Sequence, residues 1–396
     1  MKTIVLYDSN HHGHHPTYQK LITKILLENG YAVWLVCSGV EEVIQWLKAN
    51  CTADMLKQLT YLSVSAIPLE KGLRKCFWGM RNWKTAAGCM QRLEAKMGVK
   101  PDLVFFLKVD DFTKGLLTGR WVDRVFPYNW SGIYIHLRFP ERYKLTFFRK
   151  RFYQPFAAFA SRKCCRIGIL QEDAADHLKR MTSKPIDILP DATDESSPAA
   201  NRLTEQILQK AKGRKIIGLI GGQDRRKGSF LMFEIAQRCQ HKSNWFFLFC
   251  GKMNYAKSDR EIESLKKIIG NPDALQNCFF HFEHLPDESC FNAVVDLCDV
   301  IFAVYRNFPF SSNLMTKAAL FNKPLVVSAG NLMARRVEKF DLGASCEPDD
   351  IDACIQAIEK VTDHPPAPDG YRNYHYQHSK DRFQSRFRVL IEKSLV

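Results

Sequence analysis

The sequence predicts an α/β protein made of two doubly wound domains in series. Three observations lead there. Short apolar runs alternate with helical patterns, which is the signature of a parallel sheet with crossover helices. The alternation breaks near residue 192, in the polar, proline-containing stretch 191–201, and then restarts. The chain has 396 residues, 46% of them hydrophobic, enough for two large cores and too apolar for a disordered chain. The expected units are 1–192, 193–370 and a C-terminal helix over 371–396 that returns to the first domain.

In the first half, Thr3–Tyr7, Ala32–Cys37, Leu103–Leu107, Gly132–His136 and Arg166–Leu170 read as strands. Between the first two, Thr17–Asn29 sets Leu21, Ile22, Ile25 and Leu26 on one helical face. In the second half, Lys215–Ile220, Trp245–Cys250, Cys278–Phe282, Asp299–Val304 and Pro324–Ser328 read as strands. Ile351–Val361 is helical, with Cys354, Ile355 and Ile358 on its apolar face. No apolar run approaches the roughly 18 residues that span a bilayer, and no signal peptide is expected. The thirteen cysteines form no CxxC pair and read as free thiols of a reducing compartment.

Ligands of open α/β sheets bind beyond the carboxyl ends of the strands, so the loops there carry the chemistry. After the first strand comes Asp8–His15, with four histidines around Gly13. Adjacent histidines in one short loop rarely converge on one ion, so a ligand-lining loop is expected and no metal site. After the strand that opens the second half comes Gly221-Gly222-Gln223-Asp224-Arg225-Arg226-Lys227-Gly228. Glycines, then clustered cations, then a helix is phosphate-binding chemistry, though the Walker order is absent. Ser311, Ser312 and Asn313 open another helix, as ordinary caps or as holders of a phosphate oxygen. His136 ends a strand, where a general acid/base or a charge-stabilising donor would sit. Asp110 and Asp111 end another and could orient an acceptor hydroxyl; they form DD, not DxD.

These residues carry a resemblance. The chain resembles the GT-B glycosyltransferases, two Rossmann-like domains facing a central cleft, and among them glycosyltransferase family four. The strand ending in His136 resembles that family's "hH" strand. Ile188-Leu189-Pro190-Asp191 resembles its "vipNG", and Arg226-Lys227-Gly228 matches its "RKG". Phe247–Gly251 matches "FxFxG", and Lys317–Ala319 through Pro324–Ser328 resembles "EAmaxGkPvvas". The resemblance runs over nearly the whole length.

The resemblance implies transfer of a sugar from a nucleotide-diphosphate sugar to an acceptor hydroxyl, with retention and without a metal or other cofactor. It implies a donor site of Gly13, Gly222, Arg226, Lys227, Gly251, Leu285, Ser311, Ser312 and Asn313. It assigns catalysis to His136 and Asp110, and the acceptor to His14, His15 and Asp111. The acceptor would be a glycan, a lipid-linked sugar or a small molecule. The sequence departs from the family at its glutamates, spaced E-x7-E: Pro309 stands at the first and Lys317 at the second. Lys317 is expected to bring one more cation to the phosphates. The departure also keeps a second reading open, a non-catalytic relative that binds a nucleotide or a partner.

The charge balance is 57 Lys+Arg against 42 Asp+Glu, a net +15, which calls for an anionic partner. Arg138–Arg166 holds nine Lys/Arg and one acid, and Lys71–Lys100 eight against Glu94, both interleaved with aromatics. That pattern suits an anionic membrane surface touched through 71–100 and 138–166. No nucleic-acid motif accompanies it, and no nucleic acid is expected. A cytoplasmic protein, peripheral at the inner membrane face, is the corresponding expectation.

Overall fold

In a computed structural model, the structure describes residues 1–11, 15–65, 76–137, 156–191, 193–242, 244–253 and 275–396. The chain forms two compact units, 1–190 with 383–396, and 191–382.

The first unit is built on seven strands: β1 (Thr3–Asp8), β2 (Ala32–Cys37), β3 (Leu59–Ser63), β4 (Leu103–Phe106), β5 (Trp130–Tyr134), β6 (Cys164–Ile169) and β7 (Ile186–Ile188). They pair in the order β3-β2-β1-β4-β5-β6-β7, all parallel. The central strands are buried on both faces, as a sheet covered by helices requires. On one face Trp83 sits with its ring 5.0–5.3 Å from those of Phe106, Phe112, Phe126 and Trp130, and its indole N–H donates to the Phe112 carbonyl.

The second unit has six strands: β8 (Lys215–Ile220), β9 (Trp245–Cys250), β10 (Cys278–His281), β11 (Val300–Ala303), β12 (Leu325–Ser328) and β13 (Gly343–Cys346). Their order is β10-β9-β8-β11-β12-β13, again all parallel. Successive side chains alternate between faces. Ile216, Phe246, Leu248, Ile301 and Val327 enter one core, while Ile217, Phe247, Phe249, Phe302 and Val326 enter the other.

Three strands were not foreseen. β3 is a half-exposed edge, β7 has three residues, and β13 reads GASC, so none shows an apolar run. The C-terminal segment is two helices, Pro368–His378 and Lys380–Ser394, not one. The first stays with the second unit, where Tyr371 and Tyr374 join the core. The other packs Phe383 on Tyr18 and Phe387 on Phe105 in the first unit, at 5.7 and 5.0 Å. All thirteen cysteines are free. No described helix is long and apolar enough to cross a membrane.

Of the three aromatics in 71–100, Trp78 and Trp83 of helix Trp78–Met97 are core residues, and Phe77 is exposed, at 57%. The outward face carries Arg81, Lys84, Arg92 and Lys96. Residues 71–75 and 138–155 lie outside the described residues.

Candidate functional site

Both sheets change direction at one place, between β1 and β4 in the first unit and between β8 and β11 in the second. There the connections leave to opposite sides, and the loops at the carboxyl ends diverge. The loops after β1, β4, β8 and β11 fall at these two points, and His136 follows β5, the strand next to β4.

In the second unit the loop after β8 is held from within. Gln223 is fully buried, and its amide donates to the carbonyls of Leu219, Gly221 and Cys250 while accepting from Ser229 Oγ. Asp224 Oδ1 accepts the Lys227 N–H at 2.7 Å, closing a tight turn. Gly228 has φ +83°, and a Cβ there would stand 2.5 Å from the Val304 carbonyl. Only glycine brings this helix start so close to the end of β11. The Arg306 N–H then donates to the Arg226 carbonyl at 2.8 Å, stitching the two loops together. Their cations rest on aromatic faces. Lys227 Nζ is 4.1 Å from the Tyr305 ring centroid, and the Arg226 guanidinium 5.2 Å from that of Phe308. An aromatic face restrains a cation without neutralising it, which leaves the Lys227 charge for an anion; the Arg226 guanidinium also lies 3.7 Å from Asp224 Oδ2.

Tyr305 and Arg306 were missed. Their segment, Tyr305-Arg306-Asn307, matches no motif, and only the pairing of β11 with β8 brings it beside Arg226 and Lys227. Gly222 lies in the same turn. Gly251 lies across from it, with φ +128° and its Cβ position 2.2 Å from the Gly221 carbonyl.

Three expected donor residues do other work. Lys317 is 1% exposed, and its ammonium is turned to Glu288 at 2.8 Å, Asn292 Oδ1 at 2.5 Å and the Asp194 carbonyl at 3.2 Å. Its charge is spent holding 194–196 to helix Glu288–Leu297, so it adds no cation to the phosphates. Ser311 donates to Asp191 and accepts from the buried Arg336. Leu285 is a core side chain. Ser312 and Asn313 stand at the start of helix Asn313–Leu320, nearly buried.

In the first unit Asp110 is 5% exposed, after β4. Its carboxylate accepts the N–H groups of Ile135 and His136 at 3.0 and 2.8 Å, and lies 3.1 Å from His136 Nδ1. Those N–H groups leave the sheet for the carboxylate, which is why β5 ends at Tyr134 rather than at His136. Burial on its own would favour protonated Asp110. The hydrogen bond and charge of His136, the charge of Lys108 and the Ile135 N–H override it and hold the carboxyl far below the usual range. Asp110 therefore positions His136. Asp111 pairs with Lys114 at 2.5 Å and Lys108 at 3.7 Å; burial opposes ionisation, and these two cations outweigh it.

His15 is likewise engaged. Its Nδ1 is 2.7 Å from Asp8 and its Nε2 3.3 Å from the Asn10 amide, while Gln19 donates to both Asp8 and the Asn10 carbonyl. Gly13 and His14 lie outside the described residues. Among the described residues no group of three His, Cys, Asp or Glu is placed to hold a metal ion.

No protein-family model matches the sequence, and no curated protein does. Solved structures do. A glycosyltransferase of Rickettsia africae aligns over 100% of this chain and 98% of its own, at 12% identity and TM-score 0.63. Anabaena HepE, solved with UDP and glucose, aligns over 99% and 100%, at 10% identity and TM-score 0.68. The sucrose-phosphate synthase of Thermosynechococcus elongatus aligns over 99% of each chain, at 14% identity and TM-score 0.65. With two all-parallel sheets flanked by helices, the chain has the GT-B fold of these glycosyltransferases.

Proposed function

We propose that the protein is a glycosyltransferase, moving a sugar from a nucleotide-diphosphate sugar to an acceptor hydroxyl. One observation carries this reading: Arg226 and Lys227 stand on aromatic faces at the β8/β11 switch point, stitched to the next loop, with a loose ion pair from Arg226 to Asp224 at 3.7 Å. HepE, of the same fold, has been solved with UDP and with UDP-glucose. In transfer the bond from the anomeric carbon to the diphosphate breaks, and one to the acceptor oxygen forms. The acceptor proton leaves, and the diphosphate departs with its new charge. Fixed cations take up that charge without a metal. His136, oriented by Asp110, serves the acceptor side as a proton acceptor or hydrogen-bond donor. Retention of configuration belongs to the same reading.

The acceptor is a glycan, a lipid-linked sugar or a small molecule. The basic face of helix Trp78–Met97, with Phe77 and Leu116 exposed beside it, suits an anionic membrane, as for a cytoplasmic enzyme peripheral at the inner face. A second reading, a nucleotide-binding protein without turnover, draws on Lys317, which leaves no carboxylate at the position of the family's second glutamate.

The test is a thermal-shift series with UDP, GDP, ADP, CMP and dTDP, with and without EDTA, followed by turnover of the matching nucleotide sugars. A ligand of the native state raises the melting temperature by mass action. A shift with one diphosphate, indifferent to EDTA and lost in Lys227→Ala, is expected. No shift with any of them sinks the donor site, and a shift with no turnover favours the second reading.

A further inference from the structure

Arg306 is set beside Arg226 and Lys227 by its own backbone, through the 2.8 Å bond from its N–H to the Arg226 carbonyl. Its side chain is 30% exposed, and the guanidinium pairs with Asp349 at 3.0 Å. Its Nε is buried with no hydrogen-bond partner. Asp349 belongs to the segment between β13 and helix Ile351–Asp363, and its side chain is 81% exposed. A carboxylate so exposed is well solvated, and the pair it makes is weak. An arginine fork prefers a phosphate, to which it can donate two parallel charge-assisted bonds.

We propose that Arg306 is a third anion-binding cation of this site, and that Asp349 is its resting counter-ion, displaced when a diphosphate arrives. The inference rests on the diphosphate reading of these loops and adds a residue and a form of self-competition to it. Charge supports it. Arg226 pairs with Asp224 at 3.7 Å and Arg306 with Asp349 at 3.0 Å. With Asp349 displaced, Arg226, Lys227 and Arg306 are set against the single carboxylate of Asp224, and the surplus of two positive charges matches the two negative charges of the diphosphate bridge in a nucleotide sugar. The exchange costs little in the fold, because the backbone of Arg306 is held by its bond to Arg226 and the pair with the exposed Asp349 is a weak surface one. It also makes the free site less attractive to stray anions than three bare cations would be.

The test is titration calorimetry of the full chain with UDP and, separately, with inorganic pyrophosphate, which has neither base nor sugar. Arg306→Ala is expected to weaken both by about ten-fold or more, the loss of a charge-assisted pair, with Arg306→Lys in between. Asp349→Asn is expected to tighten both by roughly two- to five-fold, the release of one weak surface pair. In the Arg306→Ala background the gain from Asp349→Asn vanishes. Melting curves without ligand check that each variant is folded, and Arg306→Lys carries the test if Arg306→Ala is not. Wild-type affinity in both Arg306 variants overturns the proposal, as does weaker binding in Asp349→Asn, which would make Asp349 an orienting group. Binding of neither probe by the wild type overturns the diphosphate reading and this proposal with it.

Discussion

The Asp110 carboxylate holds His136 by three bonds, to the backbone N–H groups of Ile135 and His136 and to the imidazole Nδ1. The ring is fixed at one nitrogen, while its side chain stays 37% exposed. Orientation of an exposed imidazole by a buried carboxylate is how a fold prepares a proton acceptor or hydrogen-bond donor. The arrangement joins the ends of β4 and β5, so it is also a structural clamp.

The clamp predicts an acid-labile stability term. The folded carboxyl of Asp110 is depressed below the ~3.9 of a free aspartate, so its stabilisation is fully present above about pH 4. It is lost as the pH falls from there towards the folded value. Asp110→Asn should remove that pH dependence and cost about 1–3 kcal/mol at neutral pH, because one acceptor oxygen becomes a donor. Urea titrations at pH 7 and pH 3 check it: the wild type and the variant should differ less at pH 3. A gap that is constant with pH would refute the linkage.

Lys317 predicts a charge swap. Its ammonium is buried against Glu288 and Asn292, so Lys317→Glu puts two carboxylates in contact and should cost about 3–5 kcal/mol. Glu288→Lys in the same chain should restore much of that loss, since the pair is rebuilt in reverse. A double-mutant cycle in urea measures the coupling. Independent, additive losses would show that the Lys317–Glu288 contact is not what matters.

The last helix predicts where a truncated core is felt. Phe387 is fully buried, edge-on to Phe105 at 5.0 Å and stacked with Phe383. Phe387→Ala should cost about 3–5 kcal/mol. Hydrogen exchange should rise in β1 and β4, while β8 and β11 in the other unit keep their protection. Equal loosening of both units would contradict the assignment of 383–396.

Much of this was legible in the sequence, for identifiable reasons. The central strands β1, β2, β4, β8 and β9 are buried on both faces and so appear as unbroken apolar runs. The glycine-and-cation loop is legible because its chemistry is local. The strand β13 and the break at Ser379 are not, since neither has an apolar boundary. Arg306 is invisible for a different reason. Its place beside Arg226 comes from the register of β11 on β8, a contact across some 80 residues of chain. Lys317 misled in the opposite direction: sequence spacing located it on the right helix, but not its partner Glu288.

The two glycines at the end of β8 and β9 separate strain from collision. Gly221 has φ +103° but nothing within 4 Å of its Cβ position. Gly251 has φ +128°, and its Cβ would stand 2.2 Å from the Gly221 carbonyl. Gly221→Ala should therefore cost only the backbone strain, about 1–3 kcal/mol. Gly251→Ala carries a similar strain and must also move a carbonyl to which the Gln223 amide is bonded. That displacement reaches the turn from Asp224 to Gly228, so Gly251→Ala should weaken diphosphate binding, and Gly221→Ala should do so less at equal loss of stability. Denaturation and nucleotide titration of the two variants, side by side, check the ranking. The reverse order would mean that the turn is held by Asp224 alone and not through Gln223.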